Sequence, residues 1–151
     1  MQKSDTYNKA LIWLEDLNQN KIVPGLERIR TMMRLLGNPQ NELRVISIGG
    51  TNAKGSTSYN LSKTLMQSSK KIGCFTSPHL HSIRERIKIN DKNIDKKDFA
   101  KNLLELKDLA ELNNLQMTYF EILTALAYLY FHNEKVDYAI MEIGLGGEWD
   151  A

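Results

Sequence analysis

A β-branched apolar run that ends in two glycines and is followed by a lysine constrains this chain more than any other feature. The run covers 45–48, Gly49 and Gly50 follow it, and Lys54 precedes a Gly-Ser-Thr sequence and a segment with helical spacing. The order of strand, tight loop and helix start is typical of a phosphate-binding loop. The first N–H groups of a helix have no partners within it, and the helix dipole favours an anion there.

The residues of this loop have distinct expected roles. Glycine lets the backbone turn and approach phosphate oxygens closely. Lys54 would bring positive charge to the β- and γ-phosphates, and Ser56 or Thr57 would offer a hydroxyl to Mg²⁺. The alternative is an ordinary glycine turn between a strand and a helix. The predicted nucleotide-binding residues are Gly50, Thr51, Asn52, Ala53, Lys54, Gly55, Ser56 and Thr57.

Composition narrows the class of protein. With 151 residues the chain has the size of one domain, and a net charge of +2 gives no reason to expect binding to nucleic acid or to a membrane surface. Cys74 is the only cysteine, and we expect it to be a buried, inert thiol. The first residues show no apolar signal region, and the longest uncharged stretch, 122–133, is too short to span a membrane. These observations predict a cytoplasmic protein.

Hydrophobic periodicity predicts helices and strands in alternation. A first helix carries Tyr7 to Leu17, with Ser4 or Asp5 as its N-cap, and a second begins at Pro24-Gly25 and ends before Gly37. Further helices are expected after the loop to about residue 68, from Asp95, and over 118–131. Strands are expected at 44–48, 72–76 and 136–143, each buried on both faces, with a small edge hairpin near 87–94.

Three buried strands separated by helices predict an α/β fold with an open, mostly parallel sheet and flanking helices. Ligands of such sheets bind beyond the carboxyl ends of the strands. The loops expected at that edge are 49–56 after the first strand, 77–79 after the second, and Glu142 with the glycine-rich 144–147 at the third. We therefore expect these three segments to form one site.

Two glutamates have both a functional and a structural interpretation. Glu142 lies near the end of a predicted buried strand, where a carboxylate is costly unless it is paired or binds a cation. An acidic residue in that place binds Mg²⁺ in phosphate-loop enzymes, whereas the alternative is an ion pair with a nearby Arg or Lys. Glu121 could contribute to the site, but Thr118-x-x-Glu121 is equally the pattern of a helix capping box.

The segment that follows the second strand is irregular and charged. His79 and His81 have a spacing that could bind a metal, but nothing nearby completes a zinc ligand set, and a polar contact in a substrate loop suits His79 better. Arg84, Glu85 and Arg86 would usually be a solvated charge run. Beside a phosphate site, the same residues could instead contact an anionic substrate.

Several motifs in order resemble the folylpolyglutamate synthase/dihydrofolate synthase family of the Mur ligase superfamily. Residues 50–56 resemble its phosphate loop G-T-N-G-K-G-S, with Ala53 in place of a glycine. The other motifs are P-G-L-E-R-I at 24–29, L-G-N-P-Q at 36–40, T-S-P-H-L at 76–80 followed by R-E-R-I at 84–87, F-E-I-L-T-A at 120–125 and E-I-G-L-G-G at 142–147. The resemblance covers nearly the whole chain.

The resemblance implies a Mur ligase central domain, similar to P-loop NTPases, and an ATP-dependent ligation of L-glutamate to a folate or dihydropteroate through an acyl phosphate. It implies that Lys54 and Glu142 are catalytic, and that Ser56, Ser77 and Glu142 are the Mg²⁺ site. The implied mobile substrate loop contains Ser77, Pro78, His79, Arg84 and Arg86. Glu121 is carried over as a further candidate.

Two departures from the family's motifs, and the position at which the sequence stops, bear on this expectation. If position 53 requires positive φ, alanine there costs about 1 kcal/mol relative to glycine, and Glu148 stands where the family often has arginine. The family continues past the motif in which this sequence stops, so residues 1–151 are expected to be an incomplete N-terminal ATP-binding domain that lacks the C-terminal ligase domain and is inactive alone. We expect a monomer. The alternatives are another Mur-type amino-acid ligase and a nucleotide-binding module without ligase activity.

Overall fold

The computed structural model describes residues 2–17 and 23–144. The helices are α1 (Gln2–Asp16), α2 (Glu27–Leu35), α3 (Lys54–Met66), α4 (Lys96–Leu112) and α5 (Tyr119–Asn133), with short 3₁₀ turns at Pro39–Glu42 and Ile83–Arg86. The strands are β1 (Val45–Ile48), β2 (Ile72–Phe75), β3 (Ile87–Ile89), β4 (Lys92–Asn93) and β5 (Tyr138–Glu142).

The strands form one five-stranded sheet in the order β1-β5-β2-β3-β4. β5 pairs in parallel with both β1 and β2, while β3 and β4 add an antiparallel hairpin. The three predicted strands are therefore parallel and adjacent, and the predicted edge hairpin is confirmed. In register, Ile48 lies opposite Glu142 and Phe75 opposite Met141, so the carboxyl ends of the three strands lie side by side.

Helices cover both faces of the sheet. Because side chains alternate along a strand, Ile72 and Cys74 point to one face, where α3 packs, and Phe75 points to the other. On the α3 face, Leu61, Leu65 and Met66 pack against the cluster of Ile72, Cys74 and Ile140. The larger core on the opposite face contains α1, α2, α4 and α5. Its fully buried side chains include Leu14, Met32, Phe99, Leu103, Leu106, Ile122, Leu123 and Phe131.

Close packing of α5 on the sheet requires a glycine in β2. A Cβ atom on Gly73 would lie 2.7 Å from the ring of Phe131, which is fully buried. Real Cβ atoms do not approach a ring this closely, so any side chain at residue 73 would push α5 away from the strand. Cys74, the next residue, faces the α3 side. The expected burial of this cysteine is confirmed, and burial raises the pKa of the thiol to about 11.

Three expectations from the sequence are wrong in detail. β1 is not buried on both faces: exposure alternates along this edge strand, so that Val45 on one face is 36% exposed while Ile48 on the other packs on the α3 side. Ser4 and Asp5 do not cap α1, which already begins at Gln2. α2 begins at Glu27 rather than at the Pro-Gly pair, because Gly25 has φ +107° and cannot be helical.

Other predicted boundaries are confirmed. The Asp95 carboxylate accepts a hydrogen bond from the backbone N–H of Asp98 at 2.7 Å and so caps α4. α2 ends at Leu35, and the left-handed backbone of Gly37 (φ +82°) and Asn38 (φ +57°), just beyond it, prevents the helix from continuing. No helix in the described part of the chain is long and apolar enough to cross a membrane.

Candidate nucleotide and metal site

The predicted phosphate loop connects β1 to the first turn of α3. Its first helical hydrogen bond runs from the N–H of Thr57 to the carbonyl of Ala53 at 2.9 Å. The N–H groups of Lys54, Gly55 and Ser56 therefore have no partners within the helix, and they lie where an anion would be stabilised. The side chains of Ser56 and Thr57 are exposed, so their hydroxyls are accessible to a ligand.

The departure at residue 53 has a structural consequence. Ala53 is the residue before α3 and adopts φ +63°, in the left-handed region. This confirms that the position uses the conformation in which glycine is preferred, and alanine there costs about 1 kcal/mol. The loop nevertheless adopts this conformation, and the Lys54 ammonium donates a 2.8 Å hydrogen bond to the Gly50 carbonyl. Lys54 thus folds over its own loop.

Glu142 brings the three predicted loops together. It is the last residue of β5, the strand between β1 and β2, and is only 6% exposed. Its Oε2 accepts a long, 3.4 Å hydrogen bond from the backbone N–H of Ser77, and a Cβ on Gly55 would lie 3.9 Å from the same oxygen. The phosphate loop, the loop after β2 and the end of β5 therefore meet as expected.

The Glu142 carboxylate has no positive partner within the described part of the chain. No lysine or arginine nitrogen there lies within 4.0 Å of it, so the ion-pair alternative is not observed. A buried carboxylate without a counter-ion is unfavourable. A cation bound at this position would remove that cost.

The donors around Glu142 suit magnesium better than a softer metal. Mg²⁺ prefers oxygen ligands and is usually bound by one or two carboxylates together with phosphate oxygens and water. Ser56 and Ser77 carry hydroxyls on the two loops that meet Glu142. No group of three or more His, Cys, Asp or Glu side chains that could hold a metal occurs among the described residues, which include His79 and His81.

The charged segment after β2 is folded around its own glutamate. The Glu85 carboxylate accepts hydrogen bonds from the backbone N–H groups of Leu80 at 3.0 Å and Ser82 at 2.8 Å, and these bonds lower the pKa of Glu85. Together with the Ser82 side chain, Glu85 forms a capping box for the 3₁₀ turn. The Ser77–Pro78 peptide bond is cis. Leu80, at the tip of the segment, is 86% exposed.

Arg86 is buried rather than solvated. It is 8% exposed, and its Nε donates to Nδ1 of His79 at 2.9 Å, while its guanidinium lies 5.6 Å from the ring centre of Tyr119. Burial and the charge of Arg86 both lower the pKa of His79. Among the described residues no carboxylate lies within 4.0 Å of this guanidinium. Its terminal nitrogens make no hydrogen bond to a described residue, which leaves them for an anion to bind.

Arg84 has a different environment from Arg86. Its terminal nitrogen donates to the carbonyl of Ile94 at 3.1 Å, which ties the segment to the hairpin that precedes α4. Its Nε is buried without a hydrogen-bond partner. The two arginines that the sequence placed together in one substrate loop thus have separate contacts: among the described residues, Arg84 donates through a terminal nitrogen, whereas Arg86 donates through Nε.

Glu121 forms the predicted capping box and also an ion pair that the sequence did not reveal. Its Oε2 accepts from the backbone N–H of Thr118 at 2.7 Å, and the Thr118 hydroxyl accepts from the N–H of Glu121 at 3.2 Å. Arg28 contacts both carboxylate oxygens, at 3.1 Å and 3.0 Å. A direct role of Glu121 in the site stays a prediction. Arg28 lies 93 residues away, and no local pattern could have identified it as the partner.

Of the predicted glycine-rich turn after β5, the structure describes only Gly144. A Cβ on Gly144 would lie 2.8 Å from the ring of Phe120, so a side chain here would displace that ring. Gly146, Gly147 and Glu148, the site of the second departure, lie outside the described residues.

A glycine-containing loop between the first strand and a helix, with a buried carboxylate at the end of the neighbouring strand, is the arrangement of α/β domains of the P-loop type. No protein-family model matches the chain. The chain is 44% identical over 127 residues to a dihydrofolate synthetase of Saccharomyces cerevisiae, covering 84% of this chain and 30% of the yeast protein.

Solved structures give the same result. A folylpolyglutamate synthase from Thermotoga maritima superposes with a TM-score of 0.88 at 38% identity, over 95% of this chain and 34% of that one. A Mycobacterium tuberculosis folylpolyglutamate synthase complexed with ADP has a TM-score of 0.87 at 33% identity, over 98% and 34%. The chain belongs to the dihydrofolate synthase/folylpolyglutamate synthase family and spans about a third of the length of its relatives.

Proposed function

We propose that the protein containing this chain is an ATP-dependent ligase that joins L-glutamate to the carboxylate of a folate or a dihydropteroate. The observation that carries the proposal is the buried, unpaired Glu142 carboxylate at the meeting point of the phosphate loop and the loop after β2. A site of this kind suits a cation and a nucleotide phosphate, and the relatives named above are synthases of folates.

The residues of the phosphate loop would hold the nucleotide. The free N–H groups at the start of α3 would bind the β- and γ-phosphates. Lys54 would exchange its hydrogen bond to the Gly50 carbonyl for a phosphate oxygen, which places a positive charge where negative charge develops. Glu142, Ser56 and Ser77 would hold Mg²⁺, which when bound neutralises phosphate charge.

The proposed reaction has two chemical steps. An oxygen of the acceptor carboxylate attacks the γ-phosphorus, the bond from that phosphorus to the β–γ bridging oxygen breaks, and ADP leaves. The amine of glutamate then attacks the carbonyl carbon of the acyl phosphate, the carbon–oxygen bond to phosphate breaks, and the nitrogen loses its extra proton. Such transfers depend on positioning and charge neutralisation more than on covalent help from the protein.

The segment from Ser77 to Arg86 would contact the acceptor. Arg86 has a buried guanidinium whose terminal N–H groups have no hydrogen-bond partner among residues 2–17 and 23–144, which suits a carboxylate. Because its Nδ1 accepts from Arg86, neutral His79 carries its proton on Nε2 and can donate a further hydrogen bond. Arg84 would contribute indirectly, by holding the segment against the hairpin. Movement of the segment during binding stays a prediction.

The experiment is phosphate release by the complete gene product that contains these residues, assayed with Mg-ATP and L-glutamate. Dihydropteroate and tetrahydrofolate are added in separate reactions, and Lys54→Ala is the control. We expect release that requires both glutamate and one of the pterins and that the control loses. ATP hydrolysis that is indifferent to both would reject the ligase. Turnover that required a nucleotide-sugar acceptor instead would indicate another Mur-type ligase.

Other expectations remain part of the proposal. Residues 1–151 would be one incomplete ATP-binding domain, with the glutamate ligase domain elsewhere in the protein. We propose a monomer that works in the cytoplasm on small molecules. Size-exclusion chromatography with light scattering would test the monomer, and catalysis by purified residues 1–151 alone would contradict the division of the activity between two domains.

A further inference from the structure

We propose that the ion pair between Arg28 and Glu121 is a positioning device for the candidate site. It fixes the first turn of α5, and that turn sets the position of Arg86 on one side and of the backbone after β5 on the other. Neither member of the pair touches substrate in this account. The kinetic part of the inference rests on the proposed function, while its structural part does not.

The pair has the geometry of a specific contact. Nε of Arg28 donates to Oε2 of Glu121 at 3.1 Å, and a terminal nitrogen contacts Oε1 at 3.0 Å, so the planar guanidinium is bound through two oxygens. The side chain of Glu121 is 5% exposed and that of Arg28 is 22% exposed. Because the Glu121 carboxylate is buried, loss of Arg28 would leave it without a partner, so this contact is more costly to break than a solvated ion pair.

Arg28 makes contacts that the capping box does not require. A glutamate or glutamine at the third helical position is enough to accept from the N–H of Thr118. Arg28 also donates to the carbonyl of Val23 at 2.6 Å and lies 3.4 Å from that of Gly25. One guanidinium thus joins the start of α5 to the segment that precedes α2, far away in sequence.

The two residues before Glu121 connect this turn to the site. The ring of Tyr119 lies beneath the Arg86 guanidinium, at 5.6 Å from ring centre to carbon. The ring of Phe120 packs on Phe75 at 5.9 Å between centres and fills the space beside Gly144. Three consecutive residues therefore contact three separate segments, and a displacement of the turn would move all of them together.

Two substitutions separate the positioning role from capping. Glu121→Gln keeps an oxygen that can accept from Thr118 but removes the charge that pairs with Arg28. Arg28→Met keeps the carboxylate and leaves it buried without a partner. Arg28→Lys restores the charge but not the two-point contact. Lys71→Met is the matched control, since it breaks an ion pair with Glu134 at the opposite end of the sheet.

The experiment measures hydrogen exchange and steady-state kinetics in the complete gene product. For Glu121→Gln and Arg28→Met we expect the amides of Leu80 and Ser82 to exchange about tenfold faster than in the wild type. The KM for the pterin acceptor should rise about tenfold, because a small displacement of Arg86 is costly, and the KM for Mg-ATP should rise by a smaller factor, because the turn also contacts the backbone after Glu142. For Arg28→Lys, the exchange rates and the acceptor KM should lie between those of the wild type and Arg28→Met. Lys71→Met should change neither the exchange rates nor the KM values.

If amide hydrogen exchange accelerates only at residues 23–28 and 118–122, the inference is overturned, because the Arg28–Glu121 pair would then be only a local structural contact. Wild-type kinetics in a folded Glu121→Gln protein would overturn it as well. If Arg28→Met does not fold, Glu121→Gln supplies the test alone. If the wild-type protein does not use a pterin acceptor, the proposed function fails, but the exchange of the 77–86 segment still decides whether the pair positions it.

Discussion

In the described part of the chain, charged side chains at the amino ends of the parallel strands pair with one another, whereas Glu142 and Arg86 at the carboxyl ends have no ionic partner. At the amino end, the ammonium of Lys71 donates to the Glu134 carboxylate at 2.7 Å and to the Glu134 carbonyl at 2.6 Å. The backbone N–H of Lys71 and the ammonium of Lys70 both donate to Asp137. At the carboxyl end, the buried carboxylate of Glu142 has no cation beside it in the described part of the chain, and the guanidinium of Arg86 has no anion.

This difference separates charges that hold the fold from charges that a ligand would complete. Groups at the amino end satisfy one another, so they need nothing from outside the chain. Among the described residues, the carboxyl end has one buried negative group and one buried positive group without an ionic partner, and bound partners of opposite sign would offset this cost. Functional sites are the usual place for such uncompensated groups.

The strongest test of this comparison replaces one lysine at each end of the parallel strands. Lys54→Met should lower acceptor-dependent phosphate release by a factor on the order of 10²–10³, because it removes a charge placed for the transition state, while leaving the melting temperature nearly unchanged. Lys71→Met should do the reverse, with full activity and a loss of stability below about 1 kcal/mol, since its ion pair is substantially exposed. Kinetics and thermal unfolding of both variants would measure this, and equal effects on activity would contradict it.

A second test concerns the strand that connects the two ends. Gly73→Ala would place a methyl group against the Phe131 ring, and such overpacking typically costs about 1–3 kcal/mol. Urea unfolding should show the loss. The adjacent Cys74→Ala, on the opposite face of β2, is the comparison that should not require α5 to move. An unchanged stability in Gly73→Ala would mean that α5 packs less closely than described.

A third test concerns the backbone conformation of the phosphate loop at residue 53. Ala53→Gly should stabilise the protein by about 1 kcal/mol or less, because glycine adopts φ +63° without the penalty that alanine carries. Part of this gain is lost, because glycine has more conformational freedom in the unfolded chain. Thermal unfolding measures the effect. Ala10→Gly, inside α1, is the control and should destabilise. Destabilisation by Ala53→Gly as well would argue against a left-handed residue at the start of α3.

The smallest expected effect is a pH dependence at the amino end. The N–H of Lys71 and the charge of Lys70 lower the pKa of Asp137 below its ordinary value of 3.8. The ionised carboxylate therefore contributes stability above that value, and the contribution is lost as the pH falls through the lowered pKa. Asp137→Asn should be less stable than the wild type at pH 7, and the gap should close in strong acid. A gap that widened on acidification would contradict the sign.

Local patterns in the sequence were enough for most of the fold. The apolar runs predicted the three parallel strands, and Asp95 and Thr118 predicted helix starts to within a residue, because capping depends on a few neighbouring side chains. The burial of β1 was wrong because exposure depends on which strands lie beside it, and a single strand's composition does not contain that information.

The site was predictable to the extent that parallel strands bring their carboxyl ends together. That rule placed Gly55, Ser77 and Glu142 in one region, and the structure agrees. The burial of Arg86 and the Arg28–Glu121 pair were missed, because both result from contacts between residues far apart in the chain. The burial of Arg86 was not visible in the charged run at 84–86, because the Tyr119 ring that lies against its guanidinium belongs to another helix.

The most direct test of the account is the thermal unfolding of the wild type and Glu142→Gln in the complete gene product, each with EDTA alone and with Mg-ATP. We expect Glu142→Gln to melt at the same or a higher temperature in EDTA, because a neutral amide avoids the cost of a buried unpaired charge. Mg-ATP should then stabilise the wild type but not the variant. A variant that melts several degrees lower in EDTA and keeps the Mg-ATP shift would show that Glu142 is a structural carboxylate, and the central claim would be wrong.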